Sequence, residues 1–163
     1  MINRLRFLNP LLPLPTDAEQ RSAARAAAVG AFLASGQIVV GIVASRLMET
    51  PAAAAMAPLT PSMLVVAAIL LLAGAIQWRK PTRLIPALLI VLALAGLATT
   101  ITAHFILPAE FKAAYDAPSG QLLAQRVFNR IASAAELLLF ITGLRGAILL
   151  RRNARSEAAS ALA

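Results

Sequence analysis

Gln37, Thr99, Thr100, His104 and Glu136 sit inside otherwise apolar runs of this chain, and they are the side chains with types and spacing suited to chemistry. A carboxyl group such as Glu136, surrounded by apolar residues, must pair, face a cavity or be neutralised. At about 100° per residue, Asn129, Ser133, Glu136, Phe140 and Gly143 share one helix face. Gly96, Thr99, Thr100, Ala103 and His104 make a small and polar stripe on another. The spacing predicts a cluster of Glu136 with Thr99 or Thr100, with His104 nearer the surface and Gln37 below. Such a cluster suits a proton-linked carrier in which Glu136 titrates, or a site for a small ligand. Its structural counterpart is a hydrogen-bonded carboxyl that holds helices together, with Gln37 as interhelical glue.

Other chemistries find less support. His104 is the only histidine and there are no cysteines, which excludes a disulfide framework, an iron–sulfur cluster, a bis-histidine haem and a thiolate zinc site. A soft copper(I) site from His104 with Met48, Met56 and Met63 is chemically imaginable, but the spacing is loose, and neither a metal nor a cofactor is expected. Neither a phosphate-binding glycine loop nor a hydrolytic Ser/His/Asp set is present, so the chain does not read as an enzyme. Arg145 lies nine residues after Glu136, on the opposite face of the same helix. It suits snorkelling to headgroups, or contact with an anionic lipid or a partner's acid. Trp78, beside Arg79 and Lys80, suits an interfacial anchor.

The elements that must position these residues are four apolar stretches: Ala26–Ser45, Ser62–Gln77, Leu84–Leu107 and Ile131–Leu150. Each approaches or exceeds the roughly 17–25 residues that cross a bilayer core. Composition agrees, with 60% hydrophobic residues, 13% charged residues and a mean hydropathy of +0.77. The excess of Lys and Arg, 15 against 7 acids, would suggest nucleic acid in a soluble protein. Its placement argues for membrane topology instead. Arg4, Arg6, Arg21, Arg25, Arg79, Lys80, Arg83, Arg151, Arg152 and Arg155 fall on one side of the four stretches, against Arg46, Lys112, Arg126 and Arg130 on the other. The positive-inside rule then predicts an all-α, four-helix transmembrane bundle of a bacterial inner membrane, with both termini cytoplasmic, N-in/C-in.

Three regions follow: a partly interfacial cytoplasmic segment over 1–25, the four-span domain over 26–150, and a basic cytoplasmic tail over 151–163. Pro10, Pro13 and Pro15 forbid a helix over Asn9–Pro15, and Thr16-Asp17-Ala18-Glu19 reads as a helix start with a capping box. Gly30, Ala34, Gln37, Gly41 and Ala44 fall on one face of the first helix, where small side chains let another backbone approach. Ala109–Asp116 is expected as a short interfacial helix, and the fourth helix is expected from about Gln121.

His104-Phe105-Ile106-Leu107-Pro108, followed by Val127-Phe128-Asn129-Arg130-Ile131-Ala132-Ser133, resembles the closing half of small four-span bacterial membrane proteins that are distantly like the copper-resistance D membrane domain. The resemblance covers less than a third of the chain and implies a four-helix membrane fold. Where that pattern places a His this chain has Ala132, which removes the residue a metal role would use. The expected function is therefore a non-enzymatic accessory or scaffold subunit, with the lipid bilayer and other membrane subunits as partners. The alternatives are a carrier or ligand-binding protein using Glu136, and a periplasm-facing copper-handling protein.

Overall fold

The computed structural model of the chain describes residues 12–47, 57–106 and 120–161, with the side chains of 99–101, 103–106 and 120–126 outside that description. The described residues are helical with no strand: α1 Asp17–Leu47, α2 Thr60–Arg79, α3 Leu84–Ile106 and α4 Gly120–Ser160, with one 3-10 turn at Ala57–Leu59. The expected interfacial helix at Ala109–Asp116 lies outside the described residues, as do Met48 and Met56.

Local chemistry accounts for the helix ends. Thr16 and Glu19 form the capping box: Glu19 N–H donates to Thr16 Oγ1 at 3.2 Å, and Thr16 N–H donates to Glu19 Oε2 at 3.3 Å. Pro61 occupies the first turn of α2, where its missing N–H costs nothing. At the far end of α2, Lys80 N–H closes the last turn on the Ile76 carbonyl at 2.8 Å, and Pro81 prevents continuation. The charged and polar flanks of α4 do not interrupt its helix, so it runs for 41 residues, well past the apolar stretch Ile131–Leu150.

α1 is the central element. It packs along α4 on one side and α2 on the other, while α3 rests mainly on α4 and touches α1 only briefly. Gln20 meets Asn153, Gly143 lies against Ala27, and Gln37 meets Glu136, so α1 and α4 run antiparallel. Ser35 against Ala67 and Ala24 against Gln77 make α1 and α2 antiparallel as well. The start of α1, the α2–α3 turn and the last part of α4 therefore share one end of the bundle.

Side chains are distributed in the reverse of a water-soluble protein. The interior is built from Ala23, Ala24, Ala26, Ala27, Ala28 and Ala31 with few large residues, Leu89 and Phe140 among them. The outside carries Val40, Leu72, Leu92 and Ile131, each more than 60% exposed. An apolar belt on every helix is untenable in water and ordinary in lipid. Three helices are long and apolar enough to cross a membrane among the described residues: α1, the stretch Ala57–Arg79 containing α2, and α4 over Val127–Ser160. In α3 the described apolar part is Leu84–Ala98.

The close-packed face of α1 differs in part from the expected one. Gly30 does lie under the Phe140 ring, but no described atom comes within 4 Å of a side chain built at Gly41, nor at Gly36 on another face. The tightest approach uses alanines nearer the start of the helix, which are small enough for the same purpose. A Cβ on Gly146 would strike the Ala24 amide nitrogen and lie 2.6 Å from the Gln20 carbonyl oxygen, and one on Gly143 would lie 2.8 Å from the Ala27 nitrogen. These are backbone atoms that cannot swing aside. Gly146→Ala should therefore destabilise the detergent-solubilised protein by about 1–3 kcal/mol, an overpacking cost. Gly36→Ala should leave thermal unfolding unchanged or slightly improved, because alanine is the better helix former.

Candidate functional site

Glu136 lies on the face of α4 that packs on α1 and is 8% exposed. The Gln37 amide of α1 donates to its Oε1 at 2.6 Å. A short bond from an amide N–H to a carboxyl oxygen in an apolar interior is among the stronger ties available to two helices. It sits toward the end of the α1–α4 contact remote from Gln20 and Asn153, seven residues beyond Gly30 on α1 and four residues before Phe140 on α4.

Further buried polar side chains make comparable ties. Gln77 in the last turn of α2 is 0% exposed, and its amide donates to the Ala24 carbonyl of α1 at 3.0 Å. Its side-chain oxygen accepts from the Thr82 N–H at 3.0 Å and the Thr82 hydroxyl at 3.3 Å. One side chain thus fixes the α2–α3 turn to the central helix. Ser35 donates to the Ala67 carbonyl at 2.9 Å, a second bond between α1 and α2.

A third group gathers at the end shared by the start of α1 and the last part of α4. Gln20 donates to the Leu14 carbonyl at 3.1 Å and accepts from Asn153 at 3.2 Å; Asn153 also donates to Asp17 at 3.2 Å. Arg145 reaches the segment before α1, where its guanidinium donates to the Leu12 carbonyl. Leu14 is buried beneath these bonds. The segment is thereby held against the bundle by side chains on two helices.

The sequence-derived residues distribute as follows. Gln37 and Glu136 come together directly. Thr99, Thr100 and His104 fall in the second half of α3, and their side chains lie outside the described residues. On the α4 face, Glu136, Phe140 and Gly143 are buried, whereas Asn129 and Ser133 are exposed. Trp78 is 46% exposed, with the Arg25 guanidinium 5.5 Å over its ring, a cation–π contact suited to a wet boundary. Among the described residues no group of three or more His, Cys, Asp or Glu side chains is arranged to hold a metal ion.

Sequence reasoning did not single out Gln20, Ser35 or Gln77. The signal for Gln77 was present: Met63, Ala67, Leu70, Gly74 and Gln77 follow a 3.5-residue spacing, and this is the stripe that α2 turns inward. Its place at the edge of an apolar run made it look like a solvated end residue.

Replacing Glu136 with Gln keeps an oxygen for the Gln37 amide, whereas Glu136→Leu strands that amide in an apolar setting. The Leu variant should lose about 1–2 kcal/mol more stability than the Gln variant, measured by unfolding in detergent. The double variant Gln37→Leu/Glu136→Leu should recover part of that loss. Comparison with protein-family models, curated proteins and solved structures returns no match to this chain.

Proposed function

We propose that the chain crosses a bacterial inner membrane four times with both termini cytoplasmic, and that it acts as a non-enzymatic accessory or scaffold subunit of a larger membrane assembly. The 23 residues of α3 would extend about 34 Å, enough for a fourth span. Arg21, Arg25, Arg79, Lys80, Arg83, Arg151, Arg152 and Arg155 all belong to the bundle end formed by the start of α1, the α2–α3 turn and the last part of α4. A basic end of this kind faces the cytoplasm by the positive-inside rule.

The observation that carries the scaffold reading is how the interior polar groups are used. Every fully buried side-chain nitrogen or oxygen among the described residues has a hydrogen-bond partner, and Ser35, Gln37, Gln77 and Glu136 all join one helix to another. Their polar chemistry is committed to assembly of the bundle. Outward, α1 presents Gly36 and Gly41 with no described atom close beside them, and Val40 and Val43 stand on the same helix more than half exposed. A neighbouring transmembrane helix fits such a surface at close range.

In a mild detergent the protein should migrate with one or more partner subunits, and Gly41→Leu should release them without altering the bundle's own unfolding temperature. A homogeneous monomer or homodimer with no partner would overturn the scaffold reading. In liposomes, proton or solute flux should be the same for wild type and Glu136→Gln. Flux that depends on Glu136 would establish the carrier reading in its place.

A further inference from the structure

The α2–α3 turn and the last part of α4 enclose a cleft of about 460 Å³, lined by Thr82, Arg83, Leu84, Leu150 and Arg151 among others. A smaller cavity of about 180 Å³ shares Arg83 and Arg151 with it and adds Ile148, Arg152 and Arg155. Four arginines, one from the α2–α3 turn and three from α4, thus face one notch, and among the described residues no acidic side chain lines either part. None of the four forms an ion pair with a described residue. Guanidinium groups keep their charge in any such setting, so like charges are being held together without compensation from the described chain.

The rest of the lining indicates what compensates them. Leu84, Ala147, Ile148 and Leu150 complete the walls. Below the notch the surface continues through Leu88, 62% exposed, one turn along α3. Charge at the bundle end with an apolar wall running down from it matches a molecule with an anionic head and hydrocarbon chains. A free phosphate would engage only the charges. An acidic protein segment would leave the descending apolar wall unused.

We propose that this notch binds an anionic phospholipid of the cytoplasmic leaflet, its phosphate held by Arg83, Arg151, Arg152 and Arg155 and its acyl chains lying along Leu84, Leu88 and Ile148. The planar guanidinium forks suit phosphate oxygens, and basic notches between transmembrane helices on the cytoplasmic side are suited to lipid headgroups. The first turn of α3 opens on the notch and adds its positive end. This inference rests on the membrane-spanning reading, and the test separates the two.

The full chain is reconstituted in vesicles of phosphatidylcholine, alone or mixed with phosphatidylglycerol. Flotation with the phosphatidylcholine vesicles reads the spanning alone. Lipid retained per protein after extraction into detergent, read by native mass spectrometry, then reads the notch. Wild type should retain phosphatidylglycerol in preference to phosphatidylcholine, and excess inorganic phosphate should not displace it. Arg151→Gln and Arg155→Gln should each lower that retention about fivefold, with flotation and helical circular dichroism unchanged. Arg152→Gln gives a third reading at another exposed position. Equal retention of the two lipids, retention unaffected by all three substitutions, or complete displacement by inorganic phosphate would overturn the site while leaving the spans intact. Failure to float would overturn both.

Discussion

The structure depends on the close approach of α1 and α4, made without bulky side chains between them. Gly143 and Gly146 let the α4 backbone lie against Ala27 and Ala24, near enough that no Cβ fits at either glycine. In lipid no hydrophobic force drives two apolar helices together, so association relies on van der Waals contact and hydrogen bonds, and small residues admit both. That contact also sets the register. From Gln20 to Gln37 is 17 residues on α1, and from Glu136 to Asn153 is 17 residues on α4. Each interval spans about 25 Å, so the two polar ties meet at opposite ends of one rigid interface. A slip by one helical turn would break both at once and push α4 side chains into the alanine face.

The polar side chains act on this frame in two ways. Gln37 and Glu136 pair with each other, which specifies a partner. Ser35 and Gln77 donate instead to main-chain carbonyls of the neighbouring helix. A helical carbonyl retains a second lone pair after its own intrahelical bond, so these donors add a tie without disrupting the helix that accepts it. Gln77 goes further, since its oxygen also receives Thr82 and so orders the turn that launches α3. α3 itself makes few contacts with α1, and its placement follows from this turn and from packing of Leu89 on the Ala27, Ala31 and Phe140 cluster.

Much of the architecture was legible because lipid leaves a strong mark on composition. The apolar runs located all four helices, the capping box located the start of α1, and the depth argument led from Gln37 to an interhelical bond. What the sequence concealed follows from ambiguity between small residues. Of the glycines on the expected face of α1, Gly30 packs under Phe140 whereas Gly41 meets no described atom within 4 Å, and the closest approach to α4 falls to Ala24 and Ala27. An Ala-rich stretch has small side chains on every face, so periodicity could not choose one. Gln77 and Gln20 were hidden for another reason. Near the end of an apolar run an amide reads equally well as solvated or buried, and only tertiary contact decides between them.

The two halves of the bundle are built differently. At the basic end, Ala23–Ala28 of α1 are buried on most sides, with Arg25 turned outward to Trp78, and the segment carrying Leu12 and Leu14 is bonded down by Arg145 and Gln20. Toward the other end fewer described residues are buried, and Leu94 and Leu97 on α3, and Val127, Phe128 and Ile131 on α4, all stand about half exposed or more. The Gln37–Glu136 bond sits nearer this half and ties α1 to α4 there. A closely packed base that fixes geometry is thus joined to a half in which the Gln37–Glu136 bond and a few small residues hold α1 to α4.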